Sequence, residues 1–299
     1  MFGKLALAAL ALLTLGASPA ETRAKLDTAA RTRWVESCKD WDKWLQPGPG
    51  FRVYGNTYYV GTCGIGAILV TGDRGNILID GGPDGAAEPV AANIGRLGFK
   101  LEDVRILLHT HEHHDHVGDF ARLKDLTGAQ IWASPAAAKA IGSGKAIAED
   151  PQYDSSNDFP PAWVDKVLPG DPTVTLGDIT LHGLATPGHT LGALSWHWRS
   201  CQDGKCKEIA YVDSLSAVSS DNYRFSDHPE LVAKFRHSLD RIAALKCDIL
   251  LTPHPSASGM RDKLVKGDLG GHPGCKAYAA GLRKKLDERL AKEAADARK

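Results

Sequence analysis

Residues 109–116 read HTHEHHDH, which puts five of the chain's 12 histidines into eight positions. Imidazoles and carboxylates packed this densely are lone-pair donors, and a fold that gathers them must converge them on something that accepts lone pairs. The run VRILL (104–108) has the composition of a buried strand and leads straight into the cluster; a helical pattern follows it. On an extended backbone His111 and His113, two residues apart, point the same way. Asp115 and His116 follow where the chain turns into the helix. Adjacent residues diverge there, so one stretch can serve two neighbouring metals. The motif H-x-H-x-D-H fits one register only, because a start at His109 would demand an aspartate at position 113. His109, Glu112 and His114 are then scaffolding. A surface tract that merely scavenges metal would need neither the strand before it nor the helix after it.

Further ligands have to come from elsewhere in the chain. ATPGHTLGALSW offers His189 and LLTPHPSASG offers His254, each after a strand-like run and beside Pro and Gly or Ser. His182, His197, His228 and His237 fall within strand or helix patterns or at their edges, and His272 is isolated in GGHPG. These five read as structural.

After a polar N-terminal arm, TYYVG, AILVT and NILID alternate with Gly/Asp turns and read as successive antiparallel strands. Helical spacing follows in EPVAANIGRLG, FARLKDLTG and PAAAKAIGSG, with strand-like AQIWAS between the last two. The loop EDPQYDSSNDFPP (149–161) divides the chain. Beyond it come strand-like TVTLGD, ITLHGLAT, ALSWHW and EIAYVDS, a helix over PELVAKFRHSLDRIAALK, strand-like CDILLTPH and a last helix from about Lys276. Two β-then-α halves meeting near 150–170 suggest an α+β fold of four layers, with helices outside two packed sheets, as a single domain over 21–299.

Lys4 precedes an apolar run from Leu5 to Leu15, and the small residues GASPA follow. The pattern is that of a secretory signal peptide over 1–20, cleaved after Ala20. It is too short for a membrane span, which takes about 20 apolar residues. No cysteine at the cleavage point suggests a lipid anchor, and no later apolar run is long enough to span. Export puts the six cysteines, Cys38, Cys63, Cys201, Cys206, Cys247 and Cys275, in an oxidising compartment. Six cysteines allow 15 pairings; the turn in SCQDGKC argues locally only for Cys201 with Cys206. Lys plus Arg (36) balances Asp plus Glu (36), which argues against nucleic acid or an anionic membrane and for a small, roughly neutral partner.

Taken with YVGTCGIGAILVT, VDSLSAVSSDNYRF and TPHPSASG, the stretches HTHEHHDHVGD and TPGHTLG resemble the metallo-β-lactamase superfamily, and within it the subclass B3 enzymes. The resemblance covers essentially the whole mature chain. It implies one zinc held by His111, His113 and His189 and a second held by Asp115, His116 and His254. It also implies the disulfides Cys38–Cys63, Cys201–Cys206 and Cys247–Cys275. The implied activity is hydrolysis of the β-lactam amide of penicillins, cephalosporins and carbapenems by a hydroxide activated between the zincs, with Asp115 orienting it and relaying its proton. Ser214 and Ser216 are the implied contacts of the substrate carboxylate, although strand-end capping would explain either serine as well. The loop 149–161, with Gln152 and Phe159, and the arm with Trp41 and Trp44 are the expected walls of the groove. A periplasmic monomer acting on a small β-lactam, with no nucleic acid and no membrane anchor, is the expectation. The alternative is a secreted lactonase or other metallo-hydrolase of the same fold, kept open by Asp213, which many such relatives use to bridge two metals. S-x-x-K with K-T-G and G-x-S-x-G, the signatures of serine nucleophiles, do not occur. GSGK at 142–145 lacks the first glycine and the final Ser/Thr of a phosphate loop and reads as a helix end.

Overall fold

Residues 18–39 and 43–298 are described by the computed structural model. A helix, α1 (Pro19–Ser37), precedes an antiparallel meander of β1 (Phe51–Tyr54), β2 (Thr57–Tyr59), β3 (Ile68–Gly72) and β4 (Gly75–Ile79). Next come α2 (Ala87–Arg96), β5 (Val104–Leu108), α3 (His114–Val117), α4 (Phe120–Thr127), β6 (Gln130–Ala133), α5 (Pro135–Ser143) and β7 (Lys166–Val167), with β4 to β7 all parallel. The seven strands form one sheet in sequence order. A second sheet takes the order β12-β11-β10-β9-β8, from β8 (Thr173–Leu176), β9 (Ile179–Ala185), β10 (Leu194–Gln202), β11 (Lys205–Tyr211) and β12 (Ile249–Leu251). Only β11 and β12 are parallel in it, with α6 (Pro229–Ala244) between them; α7 (Met260–Val265) and α8 (Cys275–Asp296) close the chain.

Strand alternation explains the layering. Ile68 and Val70, Ile77 and Ile79, and Ile106 and Leu108 face the second sheet, where they meet Leu181, Trp196 and Ile209. Their neighbours Leu69, Leu78 and Leu107 point the opposite way, onto Val90, Phe120, Leu123 and Ile141 of the helices. Both faces of these strands are buried, so the sequence there is a continuous apolar run rather than an alternating one. The outer face of the second sheet, with Ala210 and Leu250, lies under Phe235, Leu239, Leu282 and Leu286 of α6 and α8. The four-layer expectation therefore holds. The first sheet ends at Val167 and the second starts at Thr173, at the far edge of the 150–170 boundary read from composition.

The polar N-terminal arm, for which the sequence suggested no element, is helical. Few apolar residues recur at helical spacing in α1, and among its described side chains only Trp34 is fully buried, so periodicity carried no signal. The start was legible in SPAE: Ser18 Oγ accepts from Glu21 N and Glu21 Oε2 accepts from Ser18 N, a capping box. Arg31 ties the helix to β1 by donating to the carbonyls of Arg52 and Val53. All three implied disulfides are formed. Cys201 and Cys206 sit directly opposite each other across the β10–β11 hairpin. Cys38–Cys63 fastens the end of α1 to the β2–β3 connection, and Cys247–Cys275 fastens the start of α8 to the approach to β12. GSGK ends α5 at a left-handed Gly144, as read. Among the described residues no helix is long and apolar enough to cross a membrane.

Candidate metal centre

Five connections leave the two sheets at one edge: after β4 (Asp80), β5 (His109–His116), β9 (Thr186–Thr190), β11 (Asp213–Ser216) and β12 (Thr252–Ser258). The histidine cluster therefore lies between the sheets' ends. His113 is still extended (φ −72°, ψ 152°) and the helical turn α3 starts at His114, so His111 and His113 converge while Asp115 and His116 swing to the other side. Ring centroids of His111, His113 and His189 are 4.7–4.9 Å apart, and one donor atom from each lies within 4.8 Å of the others. On the other side, Asp115 Oδ2 stands 3.0 Å from His116 Nε2 and 3.3 Å from His254 Nε2. The second compact donor group is His111, Asp115 and His116 rather than one containing His254; His111 stands between the two sets, its ring 4.1 Å from that of His116. His254 is the most open of the six, with its ring 5.0 Å from that of His116.

Partners behind the rings decide which nitrogen faces inward. Asp213 Oδ1 lies 2.8 Å from His111 Nδ1, leaving Nε2 to the interior. Asp150 accepts from His113 Nε2 at 3.0 and 3.2 Å, leaving Nδ1. The Ser216 carbonyl accepts from His189 Nδ1 at 3.0 Å, leaving Nε2. Asp80 Oδ2 is 3.9 Å from His116 Nδ1 and accepts from Thr110 Oγ1 and Tyr211 Oη. Asp80 itself takes φ 64°, a costly conformation for a non-glycine residue, held by these bonds and by Thr110 N.

His111 Nε2 and both ring nitrogens of His116 are buried without a hydrogen-bond partner. A buried polar atom left unpaired costs about 1–3 kcal/mol, so His111 Nε2 and His116 Nε2, on the side where the two donor sets meet, are a destabilised arrangement unless a cation fills it; His116 Nδ1 turns the other way, towards Asp80. Burial pushes His111 well down, His116 to about 4 and His189 to about 3, so all three rings are neutral donors near neutral pH. Burial alone would raise Asp115, but His116 and His254 hold its carboxyl well below the usual carboxylate range. Imidazole nitrogens with one carboxylate suit zinc. The residues present fit a metal.

The three members of HTHEHHDH read as scaffolding do that work. Glu112 accepts from Thr190 Oγ1 and Gly192 N, both at 2.8 Å, and so bolts the His189 loop to the cluster. Gly192 has no alternative, since a Cβ there would stand 2.6 Å from the Glu112 carboxylate. His109 accepts from Ser134 N, and its carbonyl accepts from Trp196 Nε1. His114 meets Asn157. His182, His197, His228, His237 and His272 belong to neither donor group.

Ser214 Oγ is buried and unpartnered, whereas Ser216 Oγ is 3.2 Å from His189 Nδ1. Between them Leu215 adopts φ 44°, and Tyr278 Oη donates to the Ser214 carbonyl. Trp44, half exposed, stands over the site with its ring 5.7 Å from His254 and 6.0 Å from His114. Trp41 lies outside the described residues, as do residues 1–17. Phe159 is not a wall: it is buried in the core beneath the first sheet, because the loop folds back to give Phe159 N to the Gly144 carbonyl. Gln152 is half-buried and donates its backbone N–H to Asp150 Oδ1.

Asp150 and Asp80 escaped sequence reading. Asp150 is one of several acids in EDPQYDSSNDFPP, 37 positions beyond the histidine it holds, and nothing local marks it. Asp80, at the end of NILID before two glycines, carried a weak signal: an acid closing a buried strand. Replacing Asp150 by Ala is expected to weaken metal binding about 10–100-fold, read by competition with a coloured chelator. Asp150→Asn should recover part of the loss, because its amide oxygen still accepts from His113. Unchanged affinity in both variants would remove Asp150 from the centre.

The sequence from 60 to 202 matches the model of the metallo-β-lactamase superfamily. Among solved structures, the metallo-β-lactamase MIM-2 is 52% identical, covers 88% of this chain and 98% of its own, and superposes with a TM-score of 0.85. MIM-1 from Novosphingobium pentaromativorans is 48% identical over 89% of this chain and 99% of its own, with a TM-score of 0.86. MEM-A1, a subclass B3 metallo-β-lactamase from a soil metagenome library, is 38% identical over 85% and 100%, with a TM-score of 0.80. Curated relatives match more distantly. The hydroxyacylglutathione hydrolase of Pseudomonas entomophila (strain L48) is 30% identical over 58% of this chain, which spans about half of that relative's length. On the fold, the paired donor sets and these near-complete matches, the chain belongs to the metallo-β-lactamase superfamily and, within it, to the subclass B3 metallo-β-lactamases.

Proposed function

We propose that this protein hydrolyses the amide bond of β-lactam antibiotics, using two zinc ions, and so confers resistance on its host. His111, His113 and His189 hold one zinc; Asp115, His116 and His254 hold the other. The observation that carries the reading is the pair of donor sets sharing one wall, with His111 Nε2 and the His116 nitrogens buried and unpartnered. Zinc supplies Lewis acidity there, polarising a carbonyl and bringing the pKa of water down to about 7.

The chain's own residues do the rest. Asp115, an acceptor held between two imidazoles, orients the attacking water, takes its proton and passes it to the ring nitrogen as the C–N bond breaks. Ser214 Oγ, free of any protein partner, donates to the substrate carboxylate, and Ser216 supports it while fixing His189. Trp44 and the loop with Gln152 flank the bound ring. Asp213 stands behind His111 rather than between the donor sets, which favours the lactamase over a relative that bridges its metals with this aspartate.

The protein works in the periplasm as a monomer after export. Cleavage after Ala20 removes the Ser18 cap and leaves α1 anchored through Arg31 and Trp34. Hydrolysis of a carbapenem and a chromogenic cephalosporin by the zinc-loaded protein tests the activity. Turnover of a glutathione thioester or a lactone without turnover of either β-lactam would assign the chain to the alternative class.

A further inference from the structure

A groove of about 380 Å³ opens beside the metal centre and runs along α8. Ser214, Ser216 and His254 form its inner end, and Lys285 stands at its outer end. Between them the walls are apolar. Tyr278 presents its ring there, since its hydroxyl is committed to the Ser214 carbonyl. Ala277, Gly281 and Lys285 succeed each other at four-residue intervals, so they share one stripe of the helix. The two small residues make the floor, and the ammonium group closes it. Lys285 lies seven residues beyond Tyr278, about 10 Å along the helix axis.

Lys285 differs from its neighbours in being unpaired. Arg283 meets Asp240, Lys284 meets Glu288 and Arg289 meets Glu293, while Lys285 has no acidic partner among the described residues. An exposed cation facing an apolar trough is a receptor for a molecule that is greasy along its length and negative or acceptor-rich at its tip.

Resting on the β-lactamase reading, we propose that this groove takes the substituent on the ring carbon next to the carboxylate-bearing carbon, and that Lys285 selects substituents ending in an anion. The placement follows from chemistry. With the carboxylate at Ser214, the neighbouring substituent is the part of the molecule that enters the space beyond it. Cephalosporins with acidic heterocycles at that position are the favoured class, and those ending in a quaternary ammonium are disfavoured.

Two cephalosporins sharing one aminothiazolyl-methoxyimino side chain, one bearing an acidic triazinedione and the other a quaternary ammonium, isolate the effect. The readout is the ratio of their KM values in the full-length zinc enzyme. Lys285→Glu is expected to shift that ratio roughly tenfold towards the cation, two exposed charge contacts of about threefold each, with kcat for each within about twofold. Lys285→Arg retains the wild-type ratio, and raising salt shrinks the wild-type preference. Gly281→Leu blocks the trough by a different route. A Cβ at Gly281 meets nothing within 4 Å, and leucine is the better helix former, so this variant folds. Its expected signature is a raised KM for both cephalosporins. Lys284→Glu, one step round the helix, is the charge control and keeps the wild-type ratio. A KM ratio unmoved by Lys285→Glu, or moved equally by Lys284→Glu, overturns the groove assignment while leaving the hydrolase intact. Failure of the wild-type enzyme to hydrolyse either compound overturns the function itself.

Discussion

Stripping the metal with a chelator is expected to abolish β-lactam hydrolysis, and added zinc to restore it. Five donor side chains fall into the two compact groups and His254 stands beside Asp115, while His111 Nε2 and His116 Nε2 lie buried without a hydrogen-bond partner. The metal-free protein must therefore carry these atoms buried and unpaired or open the loops to wet them. Either response costs stability as well as activity. At zinc concentrations about 1,000 times the dissociation constant, binding stabilises a native state by about 4 kcal/mol. In a chain of this size that corresponds to a melting temperature lower by roughly 10 °C in the stripped protein. Calorimetry before and after chelation, with the metal content verified, reads the stability; hydrolysis of a chromogenic cephalosporin reads the activity. Full turnover after verified removal would sink the zinc mechanism, and an unchanged melting temperature would say that the donors are not ligands.

Asp115→Asn is expected to lower kcat by about 10²–10⁴-fold, the range for loss of a positioned acid–base group. The substitution keeps the size of the side chain and one acceptor oxygen, so contact with His116 and His254 can persist. What disappears is the negative charge and the capacity to take a proton. KM should change far less than kcat, because the proposed anchor of the substrate's carboxylate is Ser214 and not Asp115. Circular dichroism and zinc content separate a catalytic loss from a collapsed site. A kcat within a few-fold of wild type at equal zinc occupancy would deprive Asp115 of its proton-relay role.

The layered fold was legible because its strands are buried on both faces and its helices on one. AILVT, NILID and VRILL are continuous apolar runs for that reason, and α6 shows Leu231, Phe235, Leu239 and Ile242 on a single stripe. The helix α1 was not legible from hydrophobic spacing, because it is held by a cap, by Arg31 and by a disulfide rather than by a broad apolar face. Phe159 was misplaced for a related reason. Its loop is polar on either side, and only the return of the chain over α5 puts that one ring into the core.

The sequence by itself determined the local chemistry. A strand running into H-x-H-x-D-H fixes which side chains converge and which diverge, since side-chain direction follows backbone period within a few residues. It likewise marked His189 and His254 as donors waiting at strand ends. Tertiary structure alone decided what stands behind those donors: Asp213, Asp150 and the Ser216 carbonyl, each arriving from a distant connection and each choosing the nitrogen that its histidine presents. It also decided that α8, some 20 residues beyond His254, lines a groove that opens beside that histidine. The physical reason is range. Backbone geometry reaches a few residues along the chain, whereas a hydrogen bond or a groove wall needs only proximity in space, and that is created by packing two sheets together.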